Sequence, residues 1–244
     1  MATLVFDIET IGESWEEMDA TTQEVLSNWI RKTAKSKIEE ESQMLDLKEG
    51  LGFSPLTGKI VAIGVYDVER KQGAVYYTGL GTEIDEEVDG YILKQRSEKE
   101  MLEDFWEGAK SYDTFVTFNG RTFDMPFLLH RSIVCGVMPS CDLMEGRYLY
   151  QQKSVQHVDL QDQLTFYGAM SKKPSLHLFC RAYGIQSPKA DGVSGDDVAK
   201  LYRDKQFRDI ALYNSRDVTA TTELYEKWLM YLAPVSFKEK EIDF

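Results

Sequence analysis

The order of β-prone and helix-prone segments most constrains what this 244-residue chain can fold into. Residues 3–6 are apolar and β-prone, and residues 59–68 and 73–78 alternate with β-branched residues, which predicts three strands. The polar residues 69–72 between the second and third are turn-like, so these two strands are expected to form a hairpin. A fourth strand is predicted at residues 114–118.

Helical patterns dominate the rest of the chain. Residues 97–110 begin with the capping-box pair Ser97 and Glu100, which is typical of a helix start. Helical spacing of apolar residues recurs later, whereas residues 157–160 favour a short strand and Asp191 and Gly192 a loop. The later predicted helices are 123–135, 175–183, 194–202 and 206–231. Antiparallel strands followed by alternating helices and strands predict an α/β fold, with a mixed sheet flanked by helices.

One charged segment, at about residues 15–47, interrupts this scheme between the first and second strands. Its composition is helical, with Trp29 and Ile30 among many Glu and Lys residues, so it is interpreted as a helical insertion. A solvated helical pair at the sheet edge is the favoured interpretation; a lid or guide for a substrate strand is the alternative. Residues 1–244 are otherwise expected to form a single domain.

Charge and composition restrict the function without deciding it. A formal net charge of −13 argues against proteins that hold phosphates by charge alone, although bound divalent cations reverse the sign of a carboxylate cluster. Three cysteines without a Cys-x-x-Cys pair suggest neither a disulfide framework nor a zinc site. No leader-like or membrane-spanning pattern is present, so a cytoplasmic protein without a membrane partner is expected.

Asp7 and Glu9 form the first candidate site element, at the predicted end of the first strand. Residues two apart in a strand point to the same face, so the two carboxylates are expected to converge. Like charges side by side are unfavourable unless a cation lies between them. The pair therefore either faces water separately or binds metal, and on its own the former is favoured.

The second element is the stretch from Phe118 to Pro126, where an apolar strand ends in a turn and Asp124 starts a helix. Asp124 is interpreted as a helix cap, a role compatible with metal binding. Asn119 is either a turn residue or a nucleotide contact, and Phe123 either packs in the core or stacks on a base. Solvated charge is the default for Arg121, Lys172 and Lys173, with phosphate contact as the alternative.

The third element is Tyr213 with Asp217, four residues apart in the final predicted helix. Residues at this spacing share a helix face, so both side chains can point at one spot. Taken alone, the pair is interpreted as a surface aspartate and a partly buried tyrosine. The ordered combination of the three elements carries more information than any one of them.

Together, Phe-Asp-Ile-Glu-Thr, Asn-x-x-x-Phe-Asp and Tyr-x-x-x-Asp resemble the three exonuclease motifs of the DEDD superfamily, tyrosine subclass. The resemblance extends to the proofreading exonuclease domain of family-B DNA polymerases and its stand-alone bacterial relatives. It implies a ribonuclease H-like fold in which Asp7, Glu9, Asp124 and Asp217 bind two Mg²⁺ or Mn²⁺ ions. Tyr213 would orient the attacking water.

What the resemblance implies is a stand-alone 3′-5′ exonuclease that releases 5′-mononucleotides from single-stranded DNA by a two-metal-ion mechanism. One ion would activate the water and the other would stabilise the leaving 3′ oxygen. An exoribonuclease is the alternative enzyme, because the same centre attacks either backbone. A catalytically silent nucleic-acid-binding module is the alternative of another class, for which loss of a carboxylate would be the expected sign.

Overall fold

A single mixed β-sheet organises the protein. The structure, a computed structural model, describes residues 2–81, 85–188 and 197–237. Its sheet has seven strands in the order β4-β5-β3-β2-β1-β6-β7. The strands are β1 Thr3–Gly12, β2 Gly58–Asp67, β3 Gln72–Tyr77, β4 Glu86–Val88, β5 Tyr91–Gln95, β6 Thr114–Thr117 and β7 Gln156–Asp159.

Helices cover both faces of this sheet. They are α1 Ala20–Thr33, α2 Lys37–Gly50, α3 Glu98–Ala109, α4 Asp124–Cys135, α5 Leu160–Leu164, α6 Leu176–Tyr183, α7 Val198–Arg203 and α8 Phe207–Tyr231. The predicted capping box is confirmed, because Ser97 and Glu100 exchange hydrogen bonds at the start of α3. The predicted loop at Asp191 and Gly192 lies outside the described residues, as does part of the helix predicted at 194–202.

Alternation along β1 separates two hydrophobic cores. Val5 and Ile11 belong to the core beneath α8, whereas Leu4, Phe6 and Ile8 belong to the core beneath α3 and α4. Side chains that alternate between faces in this way make the sheet the middle of three layers. The predicted α/β class and mixed sheet are confirmed.

The sheet contains two strands that were not predicted, β4 and β5. The hairpin of β2 and β3 is confirmed, but β4 and β5 extend the sheet beyond it, with β5 parallel to β3. These strands were not predicted, because Glu86–Val88 is short and exposed while Tyr91–Gln95 buries only Tyr91 and Leu93. Edge strands with one polar face carry a weak hydrophobic signal.

The inserted segment between β1 and β2 is helical, as predicted, and extends further along the chain. It comprises α1, α2 and two 3₁₀ turns at Trp15–Glu17 and Leu51–Phe53. The second turn joins the segment to β1, because Gly52 accepts a hydrogen bond from the Thr10 hydroxyl at 2.7 Å. The inserted segment is therefore attached to the sheet directly beyond Glu9.

No helix in the described part of the chain has the length and apolar character needed to cross a membrane.

Candidate carboxylate centre

The carboxylates of Asp7 and Glu9 lie inside β1, not at its end. The predicted strand end at Phe6 was wrong, because β1 continues to Gly12 through antiparallel pairing with β2. Asp7 stands opposite Gly64 in this register. Both carboxylates continue the odd-numbered face of Val5 and so point toward α8, as the two-residue spacing predicts.

Helix α8 brings the third carboxylate to the same place. One ligand oxygen each from Asp7, Glu9 and Asp217 lies within 4.8 Å of the others. The Tyr213 side chain is buried and hydrogen-bonds Asp217 one turn further along the helix. The predicted shared face of Tyr213 and Asp217 is therefore confirmed.

Asp124 reaches the cluster from the opposite layer. Phe123, and not Asp124, occupies the N-cap of α4, and it makes no side-chain capping bond. The Asp124 Oδ1 atom instead accepts a hydrogen bond from the backbone N–H of Ile8, 3.2 Å away in β1. The interpretation of Asp124 as the helix cap was wrong, since Phe123 holds the N-cap position and the Asp124 carboxylate bonds the strand that carries Asp7 and Glu9.

Burial and mutual repulsion disfavour the charged forms of these acids. Burial raises the pKa of Asp7, and the neighbouring Asp124, Asp217 and Glu9 raise it further. Burial followed by Asp217 raises the pKa of Glu9, and burial also raises the pKa of Asp124 to about 7. A positive charge placed among these carboxylates would favour their ionised forms.

The Tyr213 hydroxyl is kept in its neutral form. Burial raises the pKa of this phenol well above its ordinary value, and Asp217, Glu9 and Asp7 raise it further. A phenol that retains its proton can donate one hydrogen bond and accept another, but it is a poor proton acceptor at neutral pH. The geometry therefore suits Tyr213 to orienting a water molecule.

Asn214 is a residue of this site that the sequence patterns did not single out. It is fully buried, and its Nδ2 atom donates a 2.9 Å hydrogen bond to Asp7 Oδ2. Its amide also lowers the pKa of Glu9 through a hydrogen bond. The Asn214 Oδ1 atom has no hydrogen-bond partner among the described residues. The signal that could have revealed Asn214 is its position next to Tyr213, on the buried side of a helix that carries two site residues.

Gly64 makes room for that amide. A Cβ atom at Gly64 would lie 2.1 Å from Asn214 Oδ1 and 2.9 Å from Val218 Cγ2. Real Cβ atoms do not approach other atoms this closely, so a side chain at this position would push α8 away from β2. The absence of a side chain opposite Asp7 thus sets the distance between the strand and the helix that share the site.

Asn119 and Phe123 have structural contacts of their own. Asn119 adopts a left-handed conformation, with φ at 65°, and its side-chain oxygen accepts a hydrogen bond from the Thr122 hydroxyl. The half-buried Phe123 ring packs on Phe127, with ring centroids 5.1 Å apart. These contacts fit the turn and core interpretations; nucleotide contact by either residue stays a prediction.

Asp159 secures the turn that leads to Asp124. Its side chain accepts hydrogen bonds from the backbone N–H groups of Asn119 and Arg121 at 2.9 and 3.0 Å. It also caps α5 by accepting from Gln161 and Asp162. Asp159 therefore supports the position of Asp124 through the backbone, and after burial its charge also contributes to the raised pKa of Asp124.

A groove begins directly beyond Glu9, where the inserted segment meets the sheet. It has a volume of about 1350 Å³. It is lined by residues 10–17, by parts of α2 and the following turn, and by Tyr202 and Arg203 of α7. Its charges are mixed, with Lys48, Lys59 and Arg203 facing several acids. The inserted segment therefore walls a space next to the carboxylates.

Fold and site together define the class of this protein. It is an α/β protein of ribonuclease H-like architecture, and carboxylates from a central strand, a facing helix and an opposite layer converge at one point of its sheet. Hard carboxylate oxygens in such a cluster are ligands that Mg²⁺ and Mn²⁺ prefer.

Residues 54–241 match the family described as "Predicted 3'-5' exonuclease related to the exonuclease domain of PolB". The chain belongs to this family. The matched residues include Asn119, Asp124, Tyr213 and Asp217, whereas Asp7 and Glu9 precede them.

Most of this chain is similar to a part of two DNA polymerases. DNA polymerase 1 of Sulfurisphaera ohwakuensis is 23% identical over 242 residues, which cover 89% of this chain and 26% of that protein. The family B DNA polymerase of the archaeon Pyrobaculum calidifontis is structurally similar, with a TM-score of 0.56, 18% identity, and coverage of 93% of this chain and 24% of that one. The chain thus spans about a quarter of the length of these relatives.

Proposed function

We propose that this protein is a metal-dependent 3′-5′ exonuclease of the tyrosine subclass, in which residues 1–244 form a single exonuclease domain. The observation that carries the proposal is the convergence of Asp7, Glu9 and Asp217 within 4.8 Å, with Tyr213 hydrogen-bonded to Asp217. Asp124 joins them through its bond to the backbone of β1. The three clustered acids, Asp124 beside them and Tyr213 support the assignment of the five residues to one site.

The donor set fits divalent cations. Three carboxylates have oxygens this close to one another, and burial and the neighbouring acids raise the pKa of Asp7 and Glu9, so the centre favours a bound positive charge. Asp7, Glu9, Asp124 and Asp217 would hold two Mg²⁺ or Mn²⁺ ions. Such ions, when bound, activate water and stabilise the charge that develops on a phosphodiester undergoing in-line displacement.

The protein's own residues have separable roles in this proposal. Tyr213 donates to Asp217 in the structure described here, and its protonated hydroxyl is suited to hold the attacking water in line with the terminal phosphodiester. The Asn214 amide keeps Asp7 and Glu9 turned toward α8. Asp159 holds the turn that delivers Asp124.

Single-stranded DNA with a free 3′ end is the proposed substrate, and 5′-mononucleotides are the proposed products. Both relatives reported above are named as DNA polymerases, which favours DNA over RNA. An exoribonuclease is the second candidate, because discrimination depends on contacts to the 2′ position and not on the carboxylates.

The direct test is cleavage of 5′-labelled single-stranded DNA and RNA of matched sequence, with Mg²⁺, Mn²⁺ or EDTA. The matched control is Asp7→Asn, which keeps the shape of the side chain and an oxygen that can accept from Asn214. A ladder that shortens from the 3′ end, needs metal and is lost in the control supports the proposal. Binding of either strand without cleavage would contradict it and would identify a silent binding module.

A further inference from the structure

Four aromatic side chains cluster at the surface near the carboxyl ends of β6 and β7, and we name them the aromatic shelf: Tyr148, Tyr150, Phe166 and Tyr167. Tyr150 is 82% exposed and Phe166 57%. The Tyr148 and Tyr150 rings are stacked, with centroids 5.6 Å apart and planes 14° from parallel, and Tyr148 contacts Tyr167 at 4.6 Å. Large exposed rings of this kind, gathered in one patch, mark interaction surfaces.

One ring of the shelf, that of Tyr167, is held in place by hydrogen bonds. The Tyr167 hydroxyl accepts a 2.6 Å hydrogen bond from Gln163 and a second from the backbone of Leu149. Arg147 lies over the Tyr167 ring and makes two hydrogen bonds to Asp162, of 2.9 and 2.6 Å. Rings that are fixed before a partner arrives lose little conformational entropy on binding.

Phe166 combines a strained backbone with an exposed ring. Phe166 and Tyr167 are consecutive residues with positive φ, 52° and 56°, a conformation that is costly for residues other than glycine. Strain of this kind persists where the surrounding structure enforces it, and it concentrates at functional positions. Here an exposed apolar ring directly precedes Tyr167, whose ring contacts Tyr148.

The shelf lies at the edge of the sheet that carries the carboxylate centre. Strands β1, β6 and β7 are parallel, with Val5 beside Val116 and Thr117 beside Asp159. Asp7 is two residues beyond Val5, so it lies at the level where β6 and β7 end and α5 begins. Tyr150 lies in the 3₁₀ turn Leu149–Gln151 and Tyr148 directly precedes it, whereas Phe166 and Tyr167 follow α5.

Two exposed lysines, Lys172 and Lys173, lie near the shelf in the sequence although the whole chain is acidic. Lys172 and Lys173 lie in the loop between Met170 and Pro174, and both ends of this loop bond to α5, through Thr165 and Gln161 respectively. The neighbouring acids are already engaged, Asp162 by Arg147 and Glu145 by Ser154 and two backbone N–H groups. Exposed rings beside uncompensated lysines suit a partner with flat bases and a negative backbone.

We infer that the aromatic shelf binds the single strand upstream of its 3′ end by stacking two or more bases, with Lys172 and Lys173 facing the backbone phosphates. This inference rests on the proposed exonuclease function and adds a second contact region for its substrate. Stacking on aromatic rings is independent of base identity, so the shelf would increase affinity for longer strands without selecting a sequence.

The experiment measures binding apart from cleavage. In the Asp7→Asn background, the affinity for oligothymidylates of two to about twelve nucleotides is measured by fluorescence anisotropy, with and without Tyr150→Ala. We expect Tyr150→Ala to weaken binding of the longest strand about tenfold and to leave the dinucleotide unaffected. Tyr150→Phe should restore the affinity, because stacking needs the ring and not the hydroxyl.

The control is Tyr231→Ala, a tyrosine of similar exposure, 73%, at the far end of α8. In the cleavage-competent protein, Tyr150→Ala should raise KM for long strands while kcat is kept. The double variant Lys172→Gln with Lys173→Gln should weaken the salt dependence, reducing the magnitude of the slope of log affinity against log salt by about 1.4.

Equal affinities for Tyr150→Ala and Tyr231→Ala would overturn the inference. If Tyr150→Ala also changed the sedimentation coefficient, the shelf would be a protein-binding surface. A protein that binds strands through the shelf but never cleaves them would contradict the proposed exonuclease function and support the inference about the shelf. Failure of the proposed function and failure of the inference are therefore distinguishable.

Discussion

Two acidic sites lie at the same edge of the sheet: the single carboxylate of Asp159, and the cluster of Asp7, Glu9 and Asp217. They differ in how their oxygens are hydrogen-bonded. Asp159 accepts hydrogen bonds from four backbone N–H groups, those of Asn119, Arg121, Gln161 and Asp162. Asp7 and Glu9 share the single amide of Asn214 and face Asp217 and each other. A carboxylate surrounded by donors stabilises the fold, whereas carboxylates that surround each other leave a place for a cation.

The largest expected effect concerns the cluster of Asp7, Glu9 and Asp217. Asp7→Asn should reduce exonuclease activity by more than about 100-fold, the upper range for a residue that only supports a metal ligand. The physical reason is that the amide removes a negative charge and a ligand oxygen from the cluster. Rates of mononucleotide release under single-turnover conditions measure this. A variant that keeps most of its activity would remove Asp7 from the proposed site.

A smaller loss is expected at Tyr213. Tyr213→Phe removes the hydroxyl that bonds Asp217 but leaves every carboxylate, so activity should fall roughly 10- to 100-fold while Mn²⁺ affinity is kept. Kinetics combined with Mn²⁺ titration by calorimetry separate these quantities. If activity collapsed as far as in Asp7→Asn, Tyr213 would do more than orient water.

The same exchange of aspartate for asparagine, made at Asp159, should lower the stability of the fold rather than the rate of catalysis. Asp159→Asn leaves one group of backbone donors facing an NH₂, which should lower the free energy of unfolding by about 1–2 kcal/mol. Asp7→Asn should instead raise it in metal-free protein, by on the order of 1 kcal/mol, because it relieves repulsion. Urea unfolding in EDTA measures both, and changes of the same sign would contradict the comparison.

The most gradual expected effect is the pH dependence of stability without metal, about 1.4 kcal/mol per pH unit from Asp124 alone. The pKa of Asp124 is raised to about 7 in the folded protein from an ordinary value of 3.8. Between these values the unfolded chain has lost a proton that the folded protein keeps, so stability should fall as pH rises, by roughly 2–4 °C in Tm per pH unit.

Divalent metal should reverse that trend, because it binds the ionised carboxylates and releases their protons. Thermal melts in EDTA and in Mn²⁺ across this range measure both curves. The increase in Tm caused by Mn²⁺ should be larger at about pH 8 than at about pH 5.5. A Mn²⁺ effect that did not depend on pH would show that the metal binds elsewhere.

Sequence reasoning was strongest where one local rule determined the result. The spacing of Asp7 and Glu9 fixed their common face, and the spacing of Tyr213 and Asp217 did the same on α8. It was weaker at the edge strands β4 and β5, whose polar faces hide their pairing. It failed at Asp124, because the bond to Ile8 joins residues 116 positions apart and no local rule distinguishes it from a helix cap.

Asn214, Gly64 and the aromatic shelf show a further limit. Asn214 becomes informative only when β1 and α8 are in contact, and Gly64 only when Asn214 is known to face it. The shelf joins residues from the 3₁₀ turn at Leu149–Gln151 with residues that follow α5, through ring contacts that have no sequence period. Tertiary contacts, not local patterns, create these features.

The contact between β1 and α8 also has a consequence for the time at which the site forms. Asp7 and Asn214 are 207 positions apart, so the bond between them closes a loop that includes most of the chain. A contact at such separation requires a large cost in loop-closure entropy before it forms. During synthesis, Asp7 and Glu9 leave the ribosome long before α8 does, and a nascent or truncated chain lacks Asp217. The carboxylate cluster therefore exists only in the finished fold, which restricts any nuclease activity to molecules that have completed folding.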